Sequence, residues 1–261
     1  MTPPIRVSVS LISHNSRHDL ERLLPSLMTA LEDIPSEVLL IDNVSTDSTA
    51  AFIEECYPNV ILRRNKVRAG YGSNHNLNIA AACGEYIVIM NSDMVVKGHL
   101  FSKMLAYMDA HPEMGILCPK VLNPDGTIQP LNKRYATILD LFLRRFVPKI
   151  LRPLFQKRLD HYEMQDVGYD EVCEVESVTG AFMFCRAAVL RAVSGFDPRY
   201  FMYCEDFDLC RKVQRTHRTV YFPEAQVVHY WERSAHRSWH WTWVFIVSAW
   251  RYFNKWGYKW F

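Results

Sequence analysis

No apolar run in the chain reaches the roughly 18–20 residues that span a bilayer. The longest, residues 241–250, is broken by Thr242 and Ser248. The opening Met1-Thr2-Pro3-Pro4 lacks the basic stretch and apolar core of a secretory leader, so none is expected. The formal net charge is only +2, without the clustered Lys and Arg of a nucleic-acid binder, so no nucleic acid is expected as a partner. No CxxC pair occurs among the seven cysteines. Their odd number and spacing fit neither a disulfide framework nor a structural zinc site. Set mostly in apolar runs, they read as buried, reduced thiols of a cytosolic protein. Internal repeats, low-complexity tracts and clear linkers are also missing. What remains is an ordinary globular composition, 49% hydrophobic and 22% charged, long enough at 261 residues for one large core.

The first half alternates short apolar runs with helical patterns. Residues 5–12, 37–41, 60–62 and the wholly apolar 86–90 predict strands. Residues 18–31, bent at Pro25, then 46–56, and 73–82 with Gly84 as a C-cap, predict helices. Such alternation implies a mainly parallel sheet with helices on both faces, which binds ligands beyond the carboxyl ends of its strands. Polar clusters sit at those ends: Ser13-His14-Asn15, Asp42-Asn43 and Asn91-Ser92-Asp93. The second half is less regular. Pro124-Asp125-Gly126 is a turn. Residues 138–159, with Pro148 and Pro153, predict short helices or a lid. A strand over 174–185 entering a helix at 186–193, a helix over 207–216, and strands at 220–222 and 227–230 complete the pattern.

Four clusters carry chemistry. Asp42-Asn43-Val44-Ser45-Thr46-Asp47 follows a strand and opens a helix. Helix capping by Ser45 or Asp47 accounts for most of it. A carboxylate there also suits the N3–H of a uracil or thymine ring. Asn91-Ser92-Asp93 leaves a buried strand, where an acidic side chain suits a hard divalent cation. Glu205, Asp206 and Asp208 lie at a helix start, favoured by the helix dipole. The aromatic segment before them would also desolvate Glu205 and Asp206, raising them towards the range of a general base. His229 ends an apolar run, and matters if it lies near Asp93.

Together these clusters resemble glycosyltransferase family 2, in its bacterial rhamnosyltransferase-like branch. The family's Asp-Asn-x-Ser-x-Asp element matches residues 42–47, and its glycine- and asparagine-rich segment runs from Asn65 through Gly70-Tyr71-Gly72 to Asn76. Its Asp-x-Asp, often Asn-x-Asp in this branch, matches Asn91-Ser92-Asp93. Gly180-Ala181, Gly195-Phe196-Asp197, the Glu-Asp-x-Asp-Leu-Cys block at 205–210 and the late His229 follow in order. The resemblance covers nearly the whole chain. It implies an α/β GT-A fold and an inverting mechanism. It places Ser13, His14, Asp42, Asn43, Asn76, Asn91, Ser92 and Asp93 at a dTDP- or UDP-sugar donor. Asp93 and His229 would hold Mg²⁺ or Mn²⁺, and Gly180, Ala181 and Glu205 would border a saccharide acceptor. Asp206 would be the base. The implied organisation is a catalytic domain over 1–237, with a nucleotide-sugar half (1–97) and an acceptor half (98–237).

Residues 238–261 predict a separate aromatic and basic helix. Arg251, Lys255 and Lys259 fall on one stripe, and Trp241, Phe245, Ile246, Phe253 and Trp256 cover much of the rest. It reads equally as a helix packed on the catalytic domain or as one lying on an anionic membrane. Arg144, Arg145, Lys149, Arg152, Lys157 and Arg158 would extend that basic surface. The expected protein is thus a peripheral enzyme at the cytoplasmic face of the inner membrane, with an acceptor on a lipid diphosphate. L-Rhamnose is the leading sugar by resemblance, with UDP-hexoses or UDP-N-acetylhexosamines as alternatives. A nucleotidyltransferase is disfavoured because residues 13–18 hold no glycine for a phosphate loop. A silent saccharide- or nucleotide-binding subunit would have no use for Asp93, Glu205, Asp206 and His229 in this order.

Overall fold

The computed structural model describes residues 3–231 and 238–261. The expected alternation is present as β1 (Val7–Ser13), α1 (Arg17–Leu31), β2 (Ser36–Asp42), α2 (Thr49–Cys56), β3 (Ile61–Arg64), α3 (Tyr71–Ala81) and β4 (Tyr86–Met90). Next come β5 (Met94–Val96), α4 (Leu100–Ala110) and β6 (Met114–Leu122), for which the residue pattern alone predicted no element. The chain continues through β7 (Asn132–Lys133), α5 (Ile138–Phe146), a 3₁₀ helix (Lys149–Phe155) and α6 (Gln156–Tyr162). It then forms β8 (Cys173–Glu174), β9 (Ser177–Val178), β10 (Phe182–Arg186), α7 (Ala187–Ala192), α8 (Glu205–Val213), β11 (Arg218–His229) and α9 (Trp239–Trp256).

One nine-stranded sheet runs in the order β3-β2-β1-β4-β10-β6-β11-β5, with β8 beside β11. Strands β3, β2, β1 and β4 pair in parallel, as do β6 and β11. Strands β10 and β5 run antiparallel to their neighbours. The two implied halves, 1–97 and 98–237, therefore share one sheet, joined at the β4–β10 and β5–β11 pairs. The antiparallel strands position the site. Because β10 opposes β4, its start at Phe182 lies beside Met90 at the end of β4. Because β5 opposes β11, Met94 lies beside His229. Residues from distant parts of the chain thus meet at one edge of the sheet.

Every side chain of β4 is buried. Tyr86, Val88 and Met90 enter the core beneath α1 and α4, while Ile87 and Ile89 enter the core beneath α3, α7 and α8. At about 1.5–3 kcal/mol per buried large side chain, this two-sided burial makes β4 the centre of the sheet. Helix α1 buries Leu20, Leu23, Leu24, Leu27 and Leu31 in one stripe and runs unbroken through Pro25. Gly84 is not the C-cap of α3, which ends at Ala81 with Ala82 extended. Its role is close approach: a Cβ there would lie 2.7 Å from the Ser8 main-chain nitrogen. The two strands expected at 220–222 and 227–230 are one strand, β11, whose register shifts between Phe222 and Gln226. Pro223 lies in that shift, where its missing N–H breaks the ladder without ending the strand. The cysteine expectation also needs correction: Cys56 and Cys83 are exposed and Cys173 is half-buried, while the other four are buried and all seven are free.

Helix α9 packs by the side that the sequence suggested would face water or lipid. Lys255 bonds Asp197 at 2.9 Å and Asp208 at 2.7 Å, and Trp256 Nε1 donates to Asp208 at 2.8 Å. Arg251 donates to the Arg199 carbonyl. Lys259 lies beyond the helix, and its carbonyl accepts from Ile138. Arg251 and Lys255 of the basic stripe thus bind the catalytic domain, while Lys259 is exposed. Asp208 is wholly buried, and a buried carboxylate without a partner costs several kcal/mol, so it captures the lysine. Tyr252 and Phe253 add to a third small core with Leu141, Tyr162 and Tyr200. The outward stripe is instead Trp239, Trp243, Ile246 and Trp250, with the tryptophans 89, 66 and 60% exposed. The implied boundary at 237/238 falls at the edge of a segment outside the described residues. Among the described residues, no helix is long and apolar enough to cross a membrane.

Candidate active site

At the carboxyl ends of β1 and β2, Ser13 and Asp42 are register partners. Asp42 is buried and accepts from the Ser45 main-chain nitrogen at 3.2 Å. Ser13 Oγ is buried with no partner among the described residues. His14 Nδ1 lies 2.9 Å from the Asn43 carbonyl. The Asn43 amide is committed to the fold: it donates to the Ala69 carbonyl and accepts from the Ala69 main chain and from Asn65, each at 3.0 Å. Val44 has φ +66°, a costly conformation for a β-branched residue, and it holds the loop in a tight corner. Asp47 accepts from Arg17 at the start of α1 and from Thr49 at the start of α2. The capping account is therefore right for Asp47, which ties two helix ends together.

The second cluster joins β5 and β11. His229 Nε2 and Asp93 Oδ1 face each other at 3.2 Å. Both atoms are buried, and neither has a hydrogen-bond partner among the described residues. Two such atoms in one buried spot call for a cation or a proton between them. The donor set, one carboxylate oxygen and one imidazole nitrogen, suits Mn²⁺ or Mg²⁺. Among the described residues no three His, Cys, Asp or Glu side chains form a metal cluster. Trp231 stacks over His229 with ring centroids 6.3 Å apart. The Asp93 carbonyl accepts from the Tyr230 main chain at 2.8 Å, so the backbone also holds the two residues together.

The third cluster opens α8. Tyr203 and Cys204 both have positive φ, +73° and +64°, just before Glu205 and Asp206. That strained corner swings both carboxylates to the helix start. Asp206 accepts from the Gly180 main chain at 3.2 Å and from that of Phe207 at 2.8 Å. Glu205 is buried, and its Oε2 has no partner among the described residues. Burial, then the charge of Asp206, push Glu205 well above the usual carboxylate range. Burial also raises Asp206, although the Phe207 and Gly180 N–H groups pull it back. Of the two, Asp206, with two main-chain N–H donors, is the better supported anion. Asp208, the third carboxylate of the block, takes no part, because it is held by α9.

Tyr71 links the second and third clusters, a role that the sequence did not announce. Its hydroxyl donates to the Gly180 carbonyl at 2.6 Å and lies 3.3 Å from Asn91 Oδ1. Burial, then the charges of Glu205, Asp206 and Asp93, push its phenol well above the ordinary value. Gly70 admits this arrangement, since a Cβ there would lie 2.7 Å from the Phe201 carbonyl oxygen, to which the Tyr71 N–H is bonded. Asn91 and Ser92 are half-buried beside it, and the Asn91 N–H donates to the Ala181 carbonyl at 3.0 Å. Gly180 and Ala181 therefore border both the Asp93 loop and the carboxylate pair. Asn76 stands apart. Its amide both donates to and accepts from the Phe196 main chain at 2.8 Å, so it holds the Gly195-Phe196 corner and its geometry lends no support to donor binding. Gln129, which bonds His229 Nδ1 at 2.9 Å, carries no motif and was invisible in the sequence.

This sheet with acidic and imidazole side chains at its strand ends is a GT-A arrangement, and the chain belongs to glycosyl transferase family 2, whose sequence profile matches residues 8–170. Among its relatives is the N-acetylglucosaminyl-diphospho-decaprenol L-rhamnosyltransferase of Mycobacterium tuberculosis, 30% identical over 252 residues, which cover 88% of this chain and 78% of that protein. Rhamnosyltransferase WbbL of Escherichia coli K12 is 28% identical over 171 residues, 61% of each chain. The fold is shared with GalNAc-T7 solved with UDP, GalNAc and Mn²⁺ (TM-score 0.67, 17% identity, 88% of this chain and 44% of that one). It is also shared with the mannosyltransferase PcManGT of Pyrobaculum calidifontis solved with GDP-Man and Mn²⁺ (TM-score 0.62, 18% identity, 91% and 60%). The chain spans less than two thirds of both solved structures.

Proposed function

We propose that this chain is an inverting glycosyltransferase that moves L-rhamnose from dTDP-rhamnose to a saccharide acceptor on a lipid diphosphate, in bacterial cell-surface polysaccharide synthesis. The observation that carries this reading is the 30% identity, over 88% of the chain, to a relative named for an L-rhamnosyl donor group and a diphospho-decaprenol acceptor. The geometry supports the chemistry. Ser13, His14 and Asp42 form the wall for the pyrimidine base, with Asn43 holding the corner behind it. Asp93 and His229, flanked by Asn91 and Ser92, would hold Mg²⁺ or Mn²⁺, which when bound would offset charge on the leaving diphosphate. Asp206 takes the proton from the acceptor hydroxyl. The acceptor oxygen bonds to the anomeric carbon as the sugar–phosphate bond breaks, and that electron pair leaves with the nucleoside diphosphate. Attack opposite the leaving group inverts the anomeric centre, and a single base suffices. Protonated Glu205 donates to the acceptor, beside Gly180 and Ala181.

A second reading keeps the enzyme class and replaces the sugar. TarS of Staphylococcus aureus, a poly(ribitol-phosphate) beta-N-acetylglucosaminyltransferase, is 26% identical over 170 residues. The experiment that separates the readings is a thermal-shift panel of dTDP, dTDP-rhamnose, UDP and UDP-sugars, with and without Mn²⁺. A ligand at a hundredfold excess over its dissociation constant stabilises the fold by about 2.7 kcal/mol. The proposal expects the largest metal-dependent shift with dTDP compounds. A larger shift with UDP-N-acetylhexosamine selects the second reading, and no shift at all favours a silent binding subunit.

The same proposal places the chain on the cytoplasmic face of the inner membrane. The support is the outward stripe of α9, with Trp at the depth of lipid headgroups. The exposed Ile150 and Leu154 of the 3₁₀ helix add apolar surface. The basic residues between 144 and 158 contribute less than their number suggests. Arg158 pairs with Asp140 at 2.7 Å, Arg145 donates to Thr242 on α9, and Arg152 donates to main-chain carbonyls. The Lys149 side chain lies outside the described residues.

A further inference from the structure

Gln129 is buried and touches His229 twice. Its Nε2 donates to the His229 carbonyl at 2.9 Å and to Asn123 Oδ1 at 2.8 Å. A main-chain carbonyl only accepts, so turning the amide over would set two oxygens against each other. Gln129 Oε1 must therefore face His229 Nδ1, 2.9 Å away, and it requires a proton on that nitrogen. In a neutral imidazole the other nitrogen is then a bare lone pair. That nitrogen, Nε2, is the one 3.2 Å from Asp93 Oδ1.

The polarity is reinforced from further away. Asn123 Nδ2 donates to Thr127 Oγ1 at 2.8 Å, and Thr127 Oγ1 donates to Asp125 Oδ1 at 2.6 Å. Asp125 ends the relay with a group that only accepts. Each bond from His229 through Gln129, Asn123 and Thr127 to Asp125 thus points the same way, and such chains strengthen one another. The Pro124-Asp125-Gly126 turn, conspicuous in the sequence, is the outer end of this relay.

We propose that Gln129 is the positioning residue that locks His229 in its Nδ1–H tautomer and aims a bare Nε2 at the cation of the donor diphosphate. The inference rests on the reading of Asp93 and His229 as the cation pair. Outer partners of this kind commonly set metal affinity by about 10–100-fold. The test uses the full chain labelled with ¹⁵N-histidine, with the His229 signals assigned by their loss in His229→Gln. Long-range ¹H–¹⁵N spectra of neutral His229 should show a protonated Nδ1 and a bare Nε2. Gln129→Leu should move the proton to Nε2 and weaken Mn²⁺ binding in the presence of dTDP, measured by electron paramagnetic resonance, by about 10–100-fold. A wild-type His229 that carries its proton on Nε2 while Mn²⁺ still binds overturns the role of Gln129 alone, as does wild-type affinity in a folded Gln129→Leu. The expected tautomer in a wild type that binds no Mn²⁺ with dTDP overturns the cation reading and, with it, the purpose assigned to Gln129. The wild-type spectrum decides the tautomer even if the variant does not fold.

Discussion

Asn43, Asn76 and Asn78 spend their amides on the protein, bonding Ala69, Phe196, Ser10 and nearby carbonyls. Across the same sheet edge, Asp93 Oδ1, His229 Nε2 and Glu205 Oε2 are buried with no partner among the described residues. In the sequence both groups are polar residues within or beside the predicted strands and helices. The structure separates them by what their atoms lack. A satisfied buried amide stabilises a corner of the fold, whereas an unsatisfied carboxylate or imidazole costs stability and persists where a ligand completes it. Architecture and chemistry are interleaved here, so position along the chain does not distinguish them.

The largest expected effect tests the unsatisfied side. Asp206→Asn should lower the transfer rate by at least about 10²–10⁴-fold, the range a general base contributes, with dTDP affinity unchanged by calorimetry. Normal turnover would remove Asp206 from the chemistry. His229→Ala should weaken Mn²⁺-dependent donor binding by more than about tenfold, since even an outer partner of a ligand is worth that much. Superimposable metal titrations of variant and wild type would break the pairing with Asp93.

On the satisfied side, Asn43→Ala should cost about 1–3 kcal/mol in denaturant unfolding, because it strands the N–H of Ala69, whose carbonyl keeps a bond from Asn74. A loss below half a kcal/mol would mean that Asn43 is not the architectural residue its bonds describe. The pH profile sharpens the contrast. Asp206 works ionised and burial raises its pKa, so activity should be full above the raised value and fall as pH drops through it. That acid limb should lie above the pH of about 4 at which an ordinary Asp titrates. Glu205→Gln, which mimics the protonated partner, should keep the limb in place; a limb near 4 in wild type would sink the desolvated-base account. The smallest effect belongs to α9. Trp243→Ser on its outer stripe should reduce flotation with phosphatidylglycerol vesicles a few-fold without changing the melting temperature. Unchanged flotation would leave the stripe without a membrane role.

The strand–helix alternation of residues 7–90 was legible because β1, β2 and β4 are short, largely apolar and bounded by turn residues, and α1 carries a leucine stripe. The stretch from β5 to β6 was not, although β6 is central. Its Gly115 and Pro119 obscure the strand pattern, and Gly115 is required by close packing, a Cβ there meeting Val213 at 2.5 Å. Carboxylate and histidine motifs named Asp93, Glu205, Asp206 and His229 but not their partners. Gln129 belongs to no pattern and Tyr71 is legible only as a member of the Gly70-Tyr71-Gly72 segment, because their roles arise from atoms contributed by segments far apart in the chain.

The C-terminal helix shows the same limit from the other direction. Its existence and amphipathic character follow from residue spacing, but spacing alone cannot say which face is covered. Lys255 turned inward because Asp197 and Asp208, brought together by the folding of the preceding segments, present two carboxylates that need a cation. The sequence by itself determined the family, the layered sheet and the identity of the acidic and histidine residues, since those depend on local periodicity and on motif order. The tertiary structure decided which of them face one another, which are satisfied and which side of α9 is free, because hydrogen-bond partners and charge pairing across the sheet are properties of contacts between distant segments.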